Sequence, residues 1–75
     1  MTHKETIQSL ITVNPEIMGG EPVFKGTRVP VRTLFEYLQK NYSLEEFLEY
    51  FPSVTENMAK QVITEAEAFT LELAA

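Results

Sequence analysis

Lys25, Arg28 and Arg32 follow one another at spacings of three and four residues in the stretch PVFKGTRVPVR. Cations this close together can hold a phosphate, a carboxylate or an acidic protein rim. The neighbouring glycines suggest a phosphate loop, but the order is wrong. Five residues separate Gly20 from Gly26, and Lys25 precedes the second glycine instead of following it. Glu45, Glu46 and Glu49 are close enough for paired acid–base work, which requires that one be desolvated. Leu44, Phe47 and Leu48 claim the apolar face of that segment, so the three carboxylates belong to a solvated face. His3 beside Glu5 falls far short of the three or four converging ligands of a metal site. With no Cys and no Asp either, no catalytic, cofactor-binding or metal-binding residue is expected, and neither is an enzyme.

The chain has 75 residues, 44% of them hydrophobic, which suits one small folded domain with a thin core. Its net charge of −5 is unevenly spread. Residues 1–40 carry five cations against four carboxylates, a balance of +1. Residues 41–75 carry Lys60 against seven glutamates, a balance of −6. Glu56, Glu65 and Glu67 are the candidate acidic face for a partner, although glutamates also serve simply as solvated helix formers. The absence of Cys, of a membrane-length apolar run and of a secretory signal in MTHKETIQ leads to the expectation of a soluble, cytoplasmic protein.

These side chains must be positioned by local structure. Residues 1–9 are expected to be mobile, 10–31 to form a β segment and 31–73 a bundle of three helices, all in a single domain over 1–75. LITV, Leu10 to Val13, is a β-branched run ended by Asn14-Pro15, and Gly19-Gly20 frees the backbone before Pro22. A hairpin over 22–31 has two possible registers. With Gly26-Thr27 as a type II′ turn, Lys25 faces Arg28, and Phe24, Val29 and Val31 share one face while Val23, Lys25, Arg28 and Pro30 share the other. With Lys25-Gly26 in the turn, Phe24 pairs with Thr27 and the cations separate.

Pro30 suits a first helical position, and Val31, Leu34, Phe35 and Leu38 then repeat at helical spacing. Glu36 and Lys40 are placed for an i,i+4 pair, and Asn41 can take the left-handed conformation that stops the helix. Ser43 and Glu46 match a capping box, with Tyr42 set to staple on Phe47; Leu44, Phe47, Leu48 and Phe51 line the second helix. Pro52 ends it. Ser53 or Thr55 caps a third helix whose stripe is Met58, Ala59, Val62, Ile63, Ala66 and Phe69, with Leu73 continuing it. Such stripes are normally core. The fold class is therefore mainly α, a helix-turn-helix-like bundle behind a short N-terminal β-hairpin. The third helix would present Glu56, Asn57, Lys60, Gln61, Thr64, Glu65 and Glu67 to DNA, an arrangement phosphates repel. If DNA is bound at all, the contact is expected at Lys25, Arg28 and Arg32, doubled in a dimer.

NPEIMGGEPVFKGTRVPV followed by SLEEFLEYFPSVTENMAKQVI strongly resembles the domain of unknown function 433 family of small prokaryotic proteins, over about Ile11 to Ala68. The most specific part is Gly19, Gly20, Pro22, Gly26, Thr27, Arg28, Pro30 and Val31, joined to Tyr50-x-Pro52. The resemblance implies a homeodomain-like helical fold and an antitoxin role, because members are often encoded beside PIN-like ribonuclease toxins. It carries over no catalytic residue. One departure is Asn41, where the family commonly has glycine. The leading expectation is a non-enzymatic antitoxin-like module that neutralises such a ribonuclease by protein–protein contact. The alternatives are a dimeric DNA-binding regulator acting through the basic hairpin, and a homodimeric structural adaptor.

The strongest local signal is the capping box. Ser43→Ala should lower stability by about 1 kcal/mol, seen as a lower urea midpoint with an unchanged slope; an unmoved midpoint would show the cap to be idle.

Overall fold

The computed structural model describes residues 8–73. The mobile start expected over 1–9 lies, Gln8 and Ser9 apart, outside the described residues. Gln8 to Leu10 are helical, so Leu10 ends a helical turn and is buried there instead of opening a strand. Leucine is not β-branched and suits a helix well. The strand that follows is short: β1, Ile11–Thr12, pairs antiparallel with β2, Val23–Phe24, placing Ile11 opposite Phe24 and Thr12 opposite Val23.

Between them the chain turns twice. Asn14 accepts from the Ile17 N–H through its carbonyl at 2.8 Å, and from the Glu16 N–H through Oδ1 at 2.9 Å, which reverses the backbone at Asn14-Pro15. Met18, Gly19 and Gly20 then pass through the left-handed region at φ 51°, 66° and 90°. Such a conformation costs an L side chain about 1–2 kcal/mol but a glycine almost nothing, which is why two of the three are glycine.

Beyond β2, residues 22–31 combine the two expected registers. The Thr27 N–H donates to the Phe24 carbonyl at 3.0 Å, so Lys25 and Gly26 occupy the turn, with Gly26 at φ 79°. Yet Phe24 N–H donates to Val29 O at 3.0 Å and Val23 bridges Pro30, the pairing expected of the other register. Thr27 reconciles them. Its hydroxyl donates to Phe24 O at 2.8 Å and accepts from the Val29 N–H at 3.0 Å, filling the place of a ladder bond across a four-residue loop. The expected two-face alternation fails here, because Val23 and Phe24 are both fully buried.

Pro30 precedes the first helix instead of starting it. Its bridge to Val23 keeps it extended at ψ 137°, and Val31 opens α1, Val31–Gln39. Asn41, at φ 69°, ends that helix as expected, and carbonyls of its last turn are used: Asn41 N–H donates to Leu38 O at 3.1 Å and Tyr42 N–H to Tyr37 O at 3.0 Å. The capping box of α2, Leu44–Tyr50, is formed, with Glu46 N–H donating to Ser43 Oγ at 3.1 Å and Ser43 N–H to Glu46 Oε1 at 3.3 Å. The staple differs from expectation: Tyr42 packs on Tyr37 and Tyr50, and Phe47 turns inward. Thr55, not Ser53, caps α3, Glu56–Leu73, accepting from the Met58 N–H at 3.1 Å.

One cluster joins these elements: Leu10, Phe24, Val31, Leu34, Phe47, Val54, Ala59 and Val62. Val54 belongs to the turn between α2 and α3, so that turn is anchored by a buried side chain. The α3 stripe departs from a pure core role. Met58, Ala59, Val62 and Ile63 pack as expected, but Phe69 and Leu73 are 51% and 73% exposed because nothing among the described residues reaches the end of this helix.

The close of α1 depends on one backbone conformation. Asn41→Gly should leave stability unchanged or raise it by less than about 1 kcal/mol, whereas Asn41→Val should lower it by about 1–2 kcal/mol. Equal urea midpoints for the two variants would contradict this account.

Candidate functional site

The basic tip is built by the Lys25–Arg28 loop. Its backbone is tied down on both sides, by Lys25 N–H donating to Leu10 O at 2.9 Å and by the Thr27 bonds, so the loop is a defined platform. Lys25 and Arg28 are exposed on it, and neither makes an ion pair among the described residues. Arg32 departs from expectation. Its Nε lies 3.3 Å from both Glu21 Oε1 and Glu36 Oε1, so two carboxylates already neutralise it. Glu36 thereby pairs backwards with Arg32, and the expected pair with Lys40 is not made. The expected cation triad is therefore a pair, Lys25 and Arg28. The remaining motif residues serve that loop and its approach: Gly19 and Gly20 form the left-handed turn, Pro22 accepts from the Val31 N–H at 2.9 Å, and Gly26, Thr27 and Pro30 set the turn and its closure.

The acidic set is also divided. Glu56 Oε1 lies 2.7 Å from Lys60 Nζ, and the pair borders a groove of about 410 Å³ between α2 and α3 that is otherwise lined by Ser43, Leu44, Glu45 and Leu48. Glu65 and Glu67, two positions apart, fall on opposite sides of α3 and flank the line of Val62, Ala66, Phe69 and Leu73. Glu56, Glu65 and Glu67 thus do not form one face. What the spacing did not reveal is that acids border an apolar strip lying in water. Leu71, 64% exposed, adds to the apolar end of α3.

A second exposed feature is aromatic. Tyr37, Tyr42 and Tyr50 meet at the junction of α1 and α2, with Tyr50 62% exposed. Helical spacing gave no hint of it, because Tyr42 lies between helices and Tyr50 lies off the apolar stripe. Among the described residues no group of three or more His, Cys or Glu side chains is arranged to hold a metal ion, and His3 lies outside them. No described helix is long and apolar enough to cross a membrane.

The arrangement defines a small, mainly helical domain with a short two-stranded antiparallel hairpin near its start. A family model described as Protein of unknown function (DUF433) matches residues 11–66, and the chain belongs to that family. It is similar to the uncharacterized protein y4eO of Sinorhizobium fredii (strain NBRC 101917 / NGR234), with 36% identity over 61 residues, 81% of this chain. The match takes in 28% of that protein, so this chain spans little more than a quarter of that relative's length. The crystal structure at 2.00 Å resolution of a DUF433 member protein from Anabaena variabilis has the same fold, with a TM-score of 0.69 and 25% identity over 96% of this chain and 71% of that one.

The Glu56–Lys60 pair has a defined pH signature. The hydrogen bond from Lys60, and then its charge, holds the Glu56 carboxyl below its ordinary value, while the same bond raises Lys60. The Glu56 contribution is present above the ordinary glutamate value of 4.5 and is lost as pH falls through the lowered folded value. The Lys60 contribution is present below the ordinary lysine value of 10.5 and is lost as pH rises through the raised one. Both groups lie in water, so the effect is small and screened by salt. Thermal melts of Glu56→Gln should show a slight deficit at neutral pH that closes on acidification; a deficit that widens in acid would reverse the assignment.

Proposed function

We propose that this chain is a non-enzymatic, antitoxin-like binding module that neutralises a PIN-like ribonuclease by protein–protein contact in a prokaryotic cytoplasm. The observation that carries this reading is the end of α3, where Phe69 and Leu73, four residues apart on one side of the helix, stand in water. An amphipathic helix of this kind is suited to a hydrophobic groove on a partner. Burying each such side chain contributes about 1.5–3 kcal/mol, enough for two of them to separate tight from weak binding. The glutamates that flank the strip favour a cationic groove, and a ribonuclease must have one to hold its substrate; the carboxylates then occupy the place of RNA phosphates.

The DNA-binding alternative has less support than the sequence suggested, since Arg32 is committed to Glu21 and Glu36 and only Lys25 and Arg28 remain for phosphates. Homodimerisation along α3 has less support too, because two copies would set carboxylates beside carboxylates.

The purified protein should bind the PIN-like ribonuclease encoded beside its gene, co-elute with it on a sizing column and suppress RNA cleavage. Phe69→Gln combined with Leu73→Gln, which keep good helix formers at both positions, should weaken binding by about 100-fold or more while leaving the circular dichroism of the free protein intact. Full cleavage in the presence of excess protein, with no complex, would remove this reading.

A further inference from the structure

The tyrosine cluster stands on other elements than the α3 strip and is left unused by the proposed function. Ring centroids of Tyr37 and Tyr42 are 4.9 Å apart, those of Tyr37 and Tyr50 5.9 Å, and those of Tyr42 and Tyr50 6.3 Å with planes at 89°. Tyr37 also meets Phe47 at 5.8 Å and Phe51 at 5.5 Å, which fixes the cluster to the core. Folding accounts for Tyr37 by this packing. It accounts for Tyr42 as the apolar contact that accompanies the left-handed close of α1. It does not account for Tyr50, which is 62% exposed at the last position of α2, where any polar helix former would serve.

The surroundings of this ring are acidic. Glu46 lies four residues before Tyr50 on the exposed side of α2, and that helix carries no cation. Lys40, exposed at the end of α1, and Lys60, paired with Glu56 on α3, are each ten residues from Tyr50 in the sequence. The three rings already touch one another, so no cage is open for a bulky quaternary ammonium. What fits is a flat cation laid on the outer ring faces, with the Glu46 carboxylate beside it.

We propose that Tyr42, Tyr50 and Glu46 form a docking site for an arginine-bearing segment of a protein partner. A guanidinium stacks on an aromatic face and forks to a carboxylate, both with its planar shape and weak hydration intact. A lysine ammonium does neither as well. The site goes beyond the ribonuclease reading and does not depend on it: it specifies a charge type and geometry on whichever protein supplies the segment.

The chain holds three tyrosines and no tryptophan, so its intrinsic fluorescence arises entirely from this cluster. The intact protein should be titrated with a blocked peptide of alternating Gly and Arg, and with matched Gly-Lys and Gly-Glu peptides. Calorimetry should follow the same mixtures. The arginine peptide should change the tyrosine emission saturably and bind about ten-fold or more tighter than the lysine peptide, and the glutamate peptide should not bind. Tyr50→Ala should abolish that preference, and Glu46→Gln, which still supplies the side-chain oxygen of the capping box, should weaken arginine binding several-fold, both with unchanged circular dichroism. Equal binding of the arginine and lysine peptides, wild-type affinity in Tyr50→Ala, or no response up to about millimolar peptide would each overturn the site.

Discussion

The ring of Phe47 is where this fold closes. It is fully buried and meets Phe24 of β2 at 6.3 Å, Tyr37 of α1 at 5.8 Å and Phe51 at the end of its own helix at 5.0 Å. Strand pair, first helix and second helix are thus joined through a single side chain, and α3 completes the enclosure with Ala59 and Val62. Two residues per strand cannot stand alone in water. The hairpin persists because Phe24 is seated against Phe47, and the loop that presents Lys25 and Arg28 inherits its position from that seat. The tyrosine cluster rests on the other side of the same contact.

Electrostatics adjusts this frame without holding it together. Arg32 reaches from the first turn of α1 to Glu21, just after the left-handed turn, and to Glu36 on its own helix. It is itself largely exposed, so each pair contributes little. Its effect is on distribution: it removes one positive charge from the hairpin side and one negative charge from the exposed side of α1. Among the described residues Lys25 and Arg28 are left at the loop tip without an ion pair, while most of the carboxylates lie on the later helices.

Much of the frame was legible in the sequence, and the legible parts are local. The spacing of Val31, Leu34, Phe35 and Leu38, the Ser43–Glu46 box and the stop at Asn41 each depend on residues within one or two helical turns. The failures share a cause as well. The hairpin register was decided by a hydroxyl, that of Thr27, taking a backbone role that alternation does not encode. Arg32 found a partner across a turn, which spacing along a helix cannot anticipate. Phe69 and Leu73 continued the apolar periodicity perfectly, yet periodicity says which side of a helix is apolar and not how far the core behind it extends. The candidate site was harder to foresee for the same reason, since both of its surfaces are defined by what the rest of the chain does not cover.

That last mismatch carries a physical consequence. At eighteen residues α3 is about 27 Å long, while the side chains it buries are confined to its first half. Beyond Ala66 the helix must be sustained by intrinsic preference, with alanine, glutamate and leucine in favour and Thr70, whose hydroxyl donates to the Ala66 carbonyl at 2.8 Å, against. Two unsupported turns are marginal in water. A surface that packed against this end would therefore contribute twice, by burying the apolar side chains and by relieving the helix of its reliance on propensity. The glutamates flanking the strip would favour a surface carrying positive charge. In a domain with so small a core, the end of α3 has most to gain from a partner, and its sequence already limits which partners suit it.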